Sequence, residues 1–240
     1  MLNNYSNTDR YNFVGSGLLD DTFAAVIRRV YVWMALGLFT TAGVSALIAN
    51  SPLFPILAGQ PIIFFGLLIL ELALVIGLTW GINRISAATA MALFFAYSVL
   101  NGVTLSVLFA VYTLGSVAYT FLASAALFGV MSVIGYTTKI YLAKMGTYLL
   151  MGLIGLIIAM VVSMFWANSA LGWVITFVGI LLFLGLTVYD TQRIKRMTAV
   201  ALQQGNEDIE ARLGILGALS LYLDFVNLFL FMLRLGGRRR

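Results

Sequence analysis

Residues 220–240 read SLYLDFVNLFLFMLRLGGRRR, an apolar run broken near its middle by one carboxylate, Asp224. A helix that crosses a bilayer needs about 20 mostly apolar residues, and this run, taken from about 213 to 234, supplies them. A charge near the bilayer centre costs at least about 2.5–3.5 kcal/mol on insertion scales, so it must face something other than lipid. Gly217, Ser220, Asp224, Asn227 and Arg234 follow one another at intervals of 3, 4, 3 and 7 residues. Those intervals keep them on one side of a helix. Leucine and phenylalanine fill the other sides. A polar stripe of this kind belongs against protein or a water-filled cavity, which places the segment inside a bundle, with neighbours all round.

The rest of the chain agrees with a bundle in a membrane. Of 240 residues, 62% are hydrophobic and 10% charged, whereas soluble domains carry about 25% charged residues. The mean hydropathy is +1.01. Six further apolar runs are expected to span, at about 30–49, 62–83, 86–111, 117–137, 147–166 and 171 to at least 189. The fold class is therefore all-α integral membrane, with seven transmembrane helices. One membrane domain over 30–240 is expected to follow a tail over 1–29. That tail lacks an apolar core long enough for a secretory signal, so the first span is expected to be an uncleaved anchor. The polar connection 191–212 either continues the sixth span or forms an interfacial helix.

Basic residues orient the spans. Arg10, Arg28, Arg29, Arg84, Lys139, Lys144, Arg193, Lys195, Arg196 and Arg212 all fall on one side, and the opposite loops, 50–61, 112–116 and 167–170, carry no charge. The positive-inside rule puts the N-terminus in the cytoplasm. Seven crossings would then carry Arg238, Arg239 and Arg240 outside. Six crossings with a re-entrant last segment would avoid that; seven is the expectation, because the tail is short. The pI near 9.6 reflects these helix-end charges and lipid head groups as their partners, not nucleic acid.

Cysteine and histidine are both absent, which excludes disulfides, thiolate chemistry and imidazole metal sites or bases. The chemistry left is that of carboxylates within the spans. Asp190 lies towards the end of the sixth span, sharing a helix side with Thr187 and Arg193, and can meet Asp224 if that helix continues. Two carboxylates a few ångströms apart in a low dielectric cannot both ionise cheaply, so they would share a proton. With Thr187, Asn227, backbone carbonyls and water they could also form a weak, transient Ca²⁺ site. Ser220 is a further polar neighbour, and Arg84 could reach Asp190 as a latch. Glu71 and Arg234 lie at compatible depths and could form a structural ion pair. Any of these charges could instead serve only to fix helix register.

The segments LGLTVYDTQRIK (184–195) and ILGALSLYLDFVNLFLFMLRLGGRR (215–239) strongly resemble the Bax inhibitor-1, or TMBIM, family. FGVMSVIGYTTK (128–139) and YVWMALGLFTTA (31–42) are similar to its bacterial inner-membrane branch. The resemblance covers nearly everything after the N-terminal tail, and its YDTQ and LDFxNLFL segments are the specific ones. It implies a multi-pass inner-membrane protein whose last helix is central. It also implies a pH-sensitive calcium leak with paired aspartates, matching Asp190 and Asp224, as pH sensor. Its latch arginine on the second helix corresponds to Arg84.

A leak channel passing Ca²⁺ under control of protons is thus one expectation, with no cofactor beyond transient Ca²⁺. A non-conducting regulator of stress survival or membrane-protein quality control, working through a membrane-protein partner, is the other. No nucleophile and base stand together, and YDTQ and LDFVN differ from membrane aspartyl protease motifs, so no enzyme and no catalytic residue are expected.

Overall fold

A computed structural model of the chain describes residues 5–138, 140, 142, 144–166, 168–204 and 207–239, with side chains described outside 5–23, 200–204 and 207. The helices among them are α1 (Tyr5–Ala49), α2 (Phe54–Gly59), α3 (Pro61–Gly81), α4 (Ala87–Leu105), α5 (Leu108–Val111), α6 (Leu114–Thr137), α7 (Met145–Phe165), α8 (Ser169–Gln204) and α9 (Glu207–Gly236). Seven segments are long and apolar enough to cross a membrane: Ala24–Ala49, Pro61–Gly81, Ala87–Val111, Leu114–Thr137, Met145–Phe165, Ser169–Ala199 and Asp208–Gly236.

Local chemistry sets several of these limits. Pro61 opens α3, where its missing N–H would be unpaired anyway. Ser86 caps α4 by accepting from the Thr89 N–H at 3.2 Å, and Thr113 caps α6 by accepting from that of Ser116 at 3.4 Å. The connection 191–212 is almost wholly absorbed into α8 and α9, and helix begins at Tyr5 within the expected tail. Residues 1–4, Lys139, Arg240 and the side chain of Arg10 lie outside the described residues.

The helices wrap around α9, which packs against α1, α4, α6 and α8. Its apolar segment is 67% buried inside the protein, against 11% for α3 and 6% for α7. So α3 and α7 are the lipid-facing outer staves. Aromatic side chains of α9 fasten the neighbours: Phe225 meets Phe121 and Phe128 of α6 edge-on at 5.1 and 5.6 Å, and Phe231 stacks on Phe183 of α8 at 5.9 Å. The fully buried Tyr222 lies edge-on to Phe94 and Tyr97 of α4. The Thr41 hydroxyl donates to the Ser98 carbonyl at 2.8 Å. Its single proton is thereby used, so the Tyr222 hydroxyl donates to Thr41, at 2.6 Å. One buried relay thus ties α1, α4 and α9 together.

Where side chains would keep helices apart, glycine lets them touch. A Cβ on Gly135 of α6 would lie 2.6 Å from the Val188 carbonyl oxygen of α8. Without a hydrophobic force between helices in lipid, such close approach is a main source of their attraction.

The two ends of the bundle are closed differently. At the basic end, the Arg212 guanidinium pairs with Asp208 at 2.7 Å and donates to the carbonyls of Ile82 and Ile85. It thereby satisfies backbone left open beyond the end of α3. At the other end the C-terminal tail folds onto the α5–α6 turn. Tyr112 and Arg239 form an antiparallel bridge, the Thr113 N–H donates to the Arg238 carbonyl at 3.2 Å, and the Arg238 N–H donates to Ser116 Oγ at 2.8 Å. The last segment therefore crosses fully rather than turning back.

Candidate functional site

A cavity of about 650 Å³ lies between α3, α7, α8 and α9. The stripe on α9 forms one wall, since Ser220, Asp224, Asn227 and Arg234 all line it. From Ser220 to Arg234 this wall runs about 21 Å at 1.5 Å per residue. Gly217, the first residue of the stripe, instead lets α9 close on Ile194 of α8.

Asp190 enters from α8, because that helix continues unbroken through the YDTQ segment. It is 9% exposed, and Asp224 is 4% exposed. Asp190 stands beside the Ser220 hydroxyl, one turn of α9 from Asp224, and its charge bears on Asp224. The Oδ2 of Asp224 has no hydrogen-bond partner. On the side of Asp190 towards the basic end lies a separate void of about 10 Å³, lined by Arg193, Met197 and Leu216 among others. That is room for about one water. Asp190 thus lines both the wide cavity and the small void towards the basic end.

The YDTQ residues divide their work. Tyr189 packs its ring over Gly146 of α7, and Asp190 faces the cavity. Thr191 reaches the Tyr31 hydroxyl of α1 at 3.3 Å. Gln192 clamps the α6–α7 connection, its Nε2 donating to the Ile140 carbonyl at 2.7 Å and its Oε1 accepting from the Leu142 N–H at 3.0 Å. Gln192→Leu keeps the volume and removes both bonds, stranding a buried N–H. We expect a loss of about 2 kcal/mol, measured by thermal unfolding in detergent, with faster proteolysis between Thr138 and Met145.

Other expected partners are placed differently. Arg84 sits exposed in the turn after α3 and makes no ion pair with Asp190. The cation whose charge bears on Asp190 is Arg193, one turn further along α8. Glu71 and Arg234 share the cavity without pairing. Glu71 accepts instead from the Thr104 hydroxyl at 2.5 Å, and Arg234 is turned towards Gly172 at the start of α8. Thr187 is fully buried, but its hydroxyl donates back to the Phe183 carbonyl at 2.7 Å and it does not line the cavity. Asn227 lines it while its amide donates to the Leu223 carbonyl at 2.8 Å.

The site also holds residues that the sequence reading passed over. Tyr97 of α4 lines the cavity and receives a hydrogen bond from the Asn101 amide at 3.1 Å, close to the Glu71–Thr104 pair. Their spacing, Tyr97, Asn101 and Thr104 on one side of an apolar span, is the same kind of signal that marks the stripe on α9. Among the described residues no three carboxylates gather tightly enough to hold a metal ion. Asp190, Asp224 and Glu71 are strung along the cavity as separate acidic stations.

A bundle of seven apolar helices, with the polar-striped α9 at its centre and carboxylates along a cavity beside it, defines a polytopic α-helical membrane protein. Residues 24–240 match the family described as inhibitor of apoptosis-promoting Bax1. The chain is 45% identical over 215 residues to the inner membrane protein YbhL of Escherichia coli K12, covering 89% of this chain and 92% of that one. It is 42% identical over 215 residues to an uncharacterised protein of Borreliella burgdorferi, with the same coverage. To an uncharacterised membrane protein of Streptococcus pyogenes serotype M6 it is 36% identical over 213 residues, 88% of this chain and 91% of the other. The chain belongs to the Bax inhibitor-1 family.

Proposed function

We propose that the protein is a pH-sensitive passive leak for cations, Ca²⁺ among them, in a bacterial inner membrane, with its N-terminus in the cytoplasm. Asp190 and Asp224 share a proton in the cavity and so set whether it conducts. The observation that carries this reading is the pair itself: two buried carboxylates that line one cavity, close enough for the charge of Asp190 to bear on Asp224, which keeps one unpartnered oxygen. Close like charges are a poor way to hold a fold together, and they respond to pH without histidine. Separate acidic stations suit an ion that must bind weakly enough to leave. Arg193 on α8, Glu71 and Tyr97 across the cavity, and Arg234 at its far end are the other ionisable groups around the pair. No catalysis is assigned to them.

The test is Ca²⁺ flux in liposomes holding the purified protein, measured between pH 6 and 8. The intact protein should give flux that changes with pH, and Asp190→Asn or Asp224→Asn should flatten that response. Flux equal to that of empty liposomes at every pH would sink the reading.

A second reading draws on the other side of Asp190. The void beside Asp190 measures about 10 Å³, a narrowness that suits a non-conducting regulator of stress survival or membrane-protein quality control. A stable membrane-protein partner recovered by crosslinking, together with absent flux, would favour it.

A further inference from the structure

On the other flank of α9, α1 and α6 both lean on the central helix without closing on each other. The groove between them measures about 1100 Å³, and Phe128 and Phe225 lie along its floor. From Arg28 to Ala42 it follows α1 for about 21 Å at 1.5 Å per residue, more than one leaflet's share, about 15 Å, of a 30 Å hydrocarbon core. Its walls are almost wholly apolar, and what polarity it has gathers at the basic end, in Arg28, Ser132, Tyr136 and Tyr31, whose hydroxyl is held by Thr191.

These groups differ in how they are engaged. Tyr136 carries the Lys195 ammonium over its ring at 4.8 Å. Arg28 is exposed and has no ion-pair partner among the described residues. Ser132 is 6% exposed, and its hydroxyl has no hydrogen-bond partner. A serine in a helix ordinarily bonds back to a carbonyl one turn earlier, so an orphan hydroxyl in an apolar wall asks for an external acceptor. Rotation about its Cα–Cβ bond turns it into the groove that the residue lines. Ser132 lies one turn, about 6 Å, deeper than Tyr136.

We propose that this groove holds one anionic phospholipid of the leaflet at the basic end. Its phosphate meets Arg28, a glycerol ester carbonyl accepts from Ser132, and an acyl chain lies along Phe128 and Phe225. Positive polarity at one end of a long apolar slot matches a single-headed amphiphile. A partner helix would have use for neither the free cation nor the orphan hydroxyl.

The test compares the full chain with Arg28→Gln and with Ala125→Phe, which fills the groove from α6. Each is reconstituted with phosphatidylglycerol or phosphatidylcholine, extracted in mild detergent, and examined for retained lipid by native mass spectrometry. The intact protein should keep one phosphatidylglycerol and little phosphatidylcholine. Arg28→Gln should lower that retention about five-fold, the weight of one basic side chain at a membrane surface, and Ala125→Phe should abolish it. Unchanged thermal unfolding of both variants in lipid-free detergent confirms that they fold. Equal retention of the two lipids, or retention indifferent to both variants, overturns the proposal. So does a disulfide between copies carrying Leu122→Cys, formed in the membrane at high yield, since a second chain would then occupy the groove. The absence of native cysteine makes that last result unambiguous.

Discussion

Gly135→Val is expected to cost the fold about 3 kcal/mol, at the upper end of overpacking effects. The obstacle is backbone: a Cβ at 135 would stand 2.6 Å from the Val188 carbonyl oxygen and 2.9 Å from Thr191 Cβ. No flexible side chain can move aside, so α6 and α8 must separate. That separation would also disturb the three residues after Val188, whose side chains hold the α7 contact, the cavity wall and the α1 contact. The effect should therefore appear twice, as a lower unfolding temperature in detergent and as an altered environment at Asp190. Gly155→Ala is the matched control. Nothing lies within 4 Å of a Cβ there, and alanine is the better helix former by about 1 kcal/mol. A Gly135→Val protein as stable as the control would mean that the α6–α8 crossing contributes little.

Asp224→Leu should do the opposite, raising stability by about 2 kcal/mol while removing any pH response of flux. A buried polar atom without a partner forfeits about 1–3 kcal/mol, and Asp224 Oδ2 is such an atom. Leucine has a similar volume and would sit among Leu223, Leu230 and Phe231 on the same wall. Stability gained where function is lost is the usual mark of a residue kept for what it does. If Asp224→Leu unfolds the protein instead, the carboxylate is a structural anchor, and the reading of the pair as a proton switch loses its main support.

Residues that obey a helical period on one element were readable without coordinates. Ser220, Asp224, Asn227 and Arg234 recur at steps that only a helix brings together, so both the stripe and its inward direction followed from spacing. Pairings between elements were less accessible. Glu71 and Arg234 have compatible depths, yet depth leaves the rotation of each helix free, and Thr104 was close enough to take the carboxylate first. Arg84 failed as a latch for a similar reason. The turn after α3 leaves it exposed, while Arg212 holds the carbonyls beside it. Thr187 shares a helix side with Asp190, but a threonine in a helix can bond its own backbone, and here it does. The reach of α8 past Asp190 was left open because 191–212 is polar. Polarity marks the membrane boundary, and a helix can continue beyond it.

The central place of α9 has a consequence for how the protein is made. Chains are synthesised from the N-terminus at about 5–20 residues per second, and here the segment that every neighbour leans on leaves the ribosome after all of those neighbours. Until then α1, α4, α6 and α8 surround a space with no occupant, their inward aromatic rings facing lipid or one another. The Tyr112–Arg239 bridge can form only after that, joining Arg239 to a turn completed more than a hundred residues earlier. Assembly is therefore less a matter of adding staves than of driving in a wedge, and the tail is the stitch that shows the wedge has gone home.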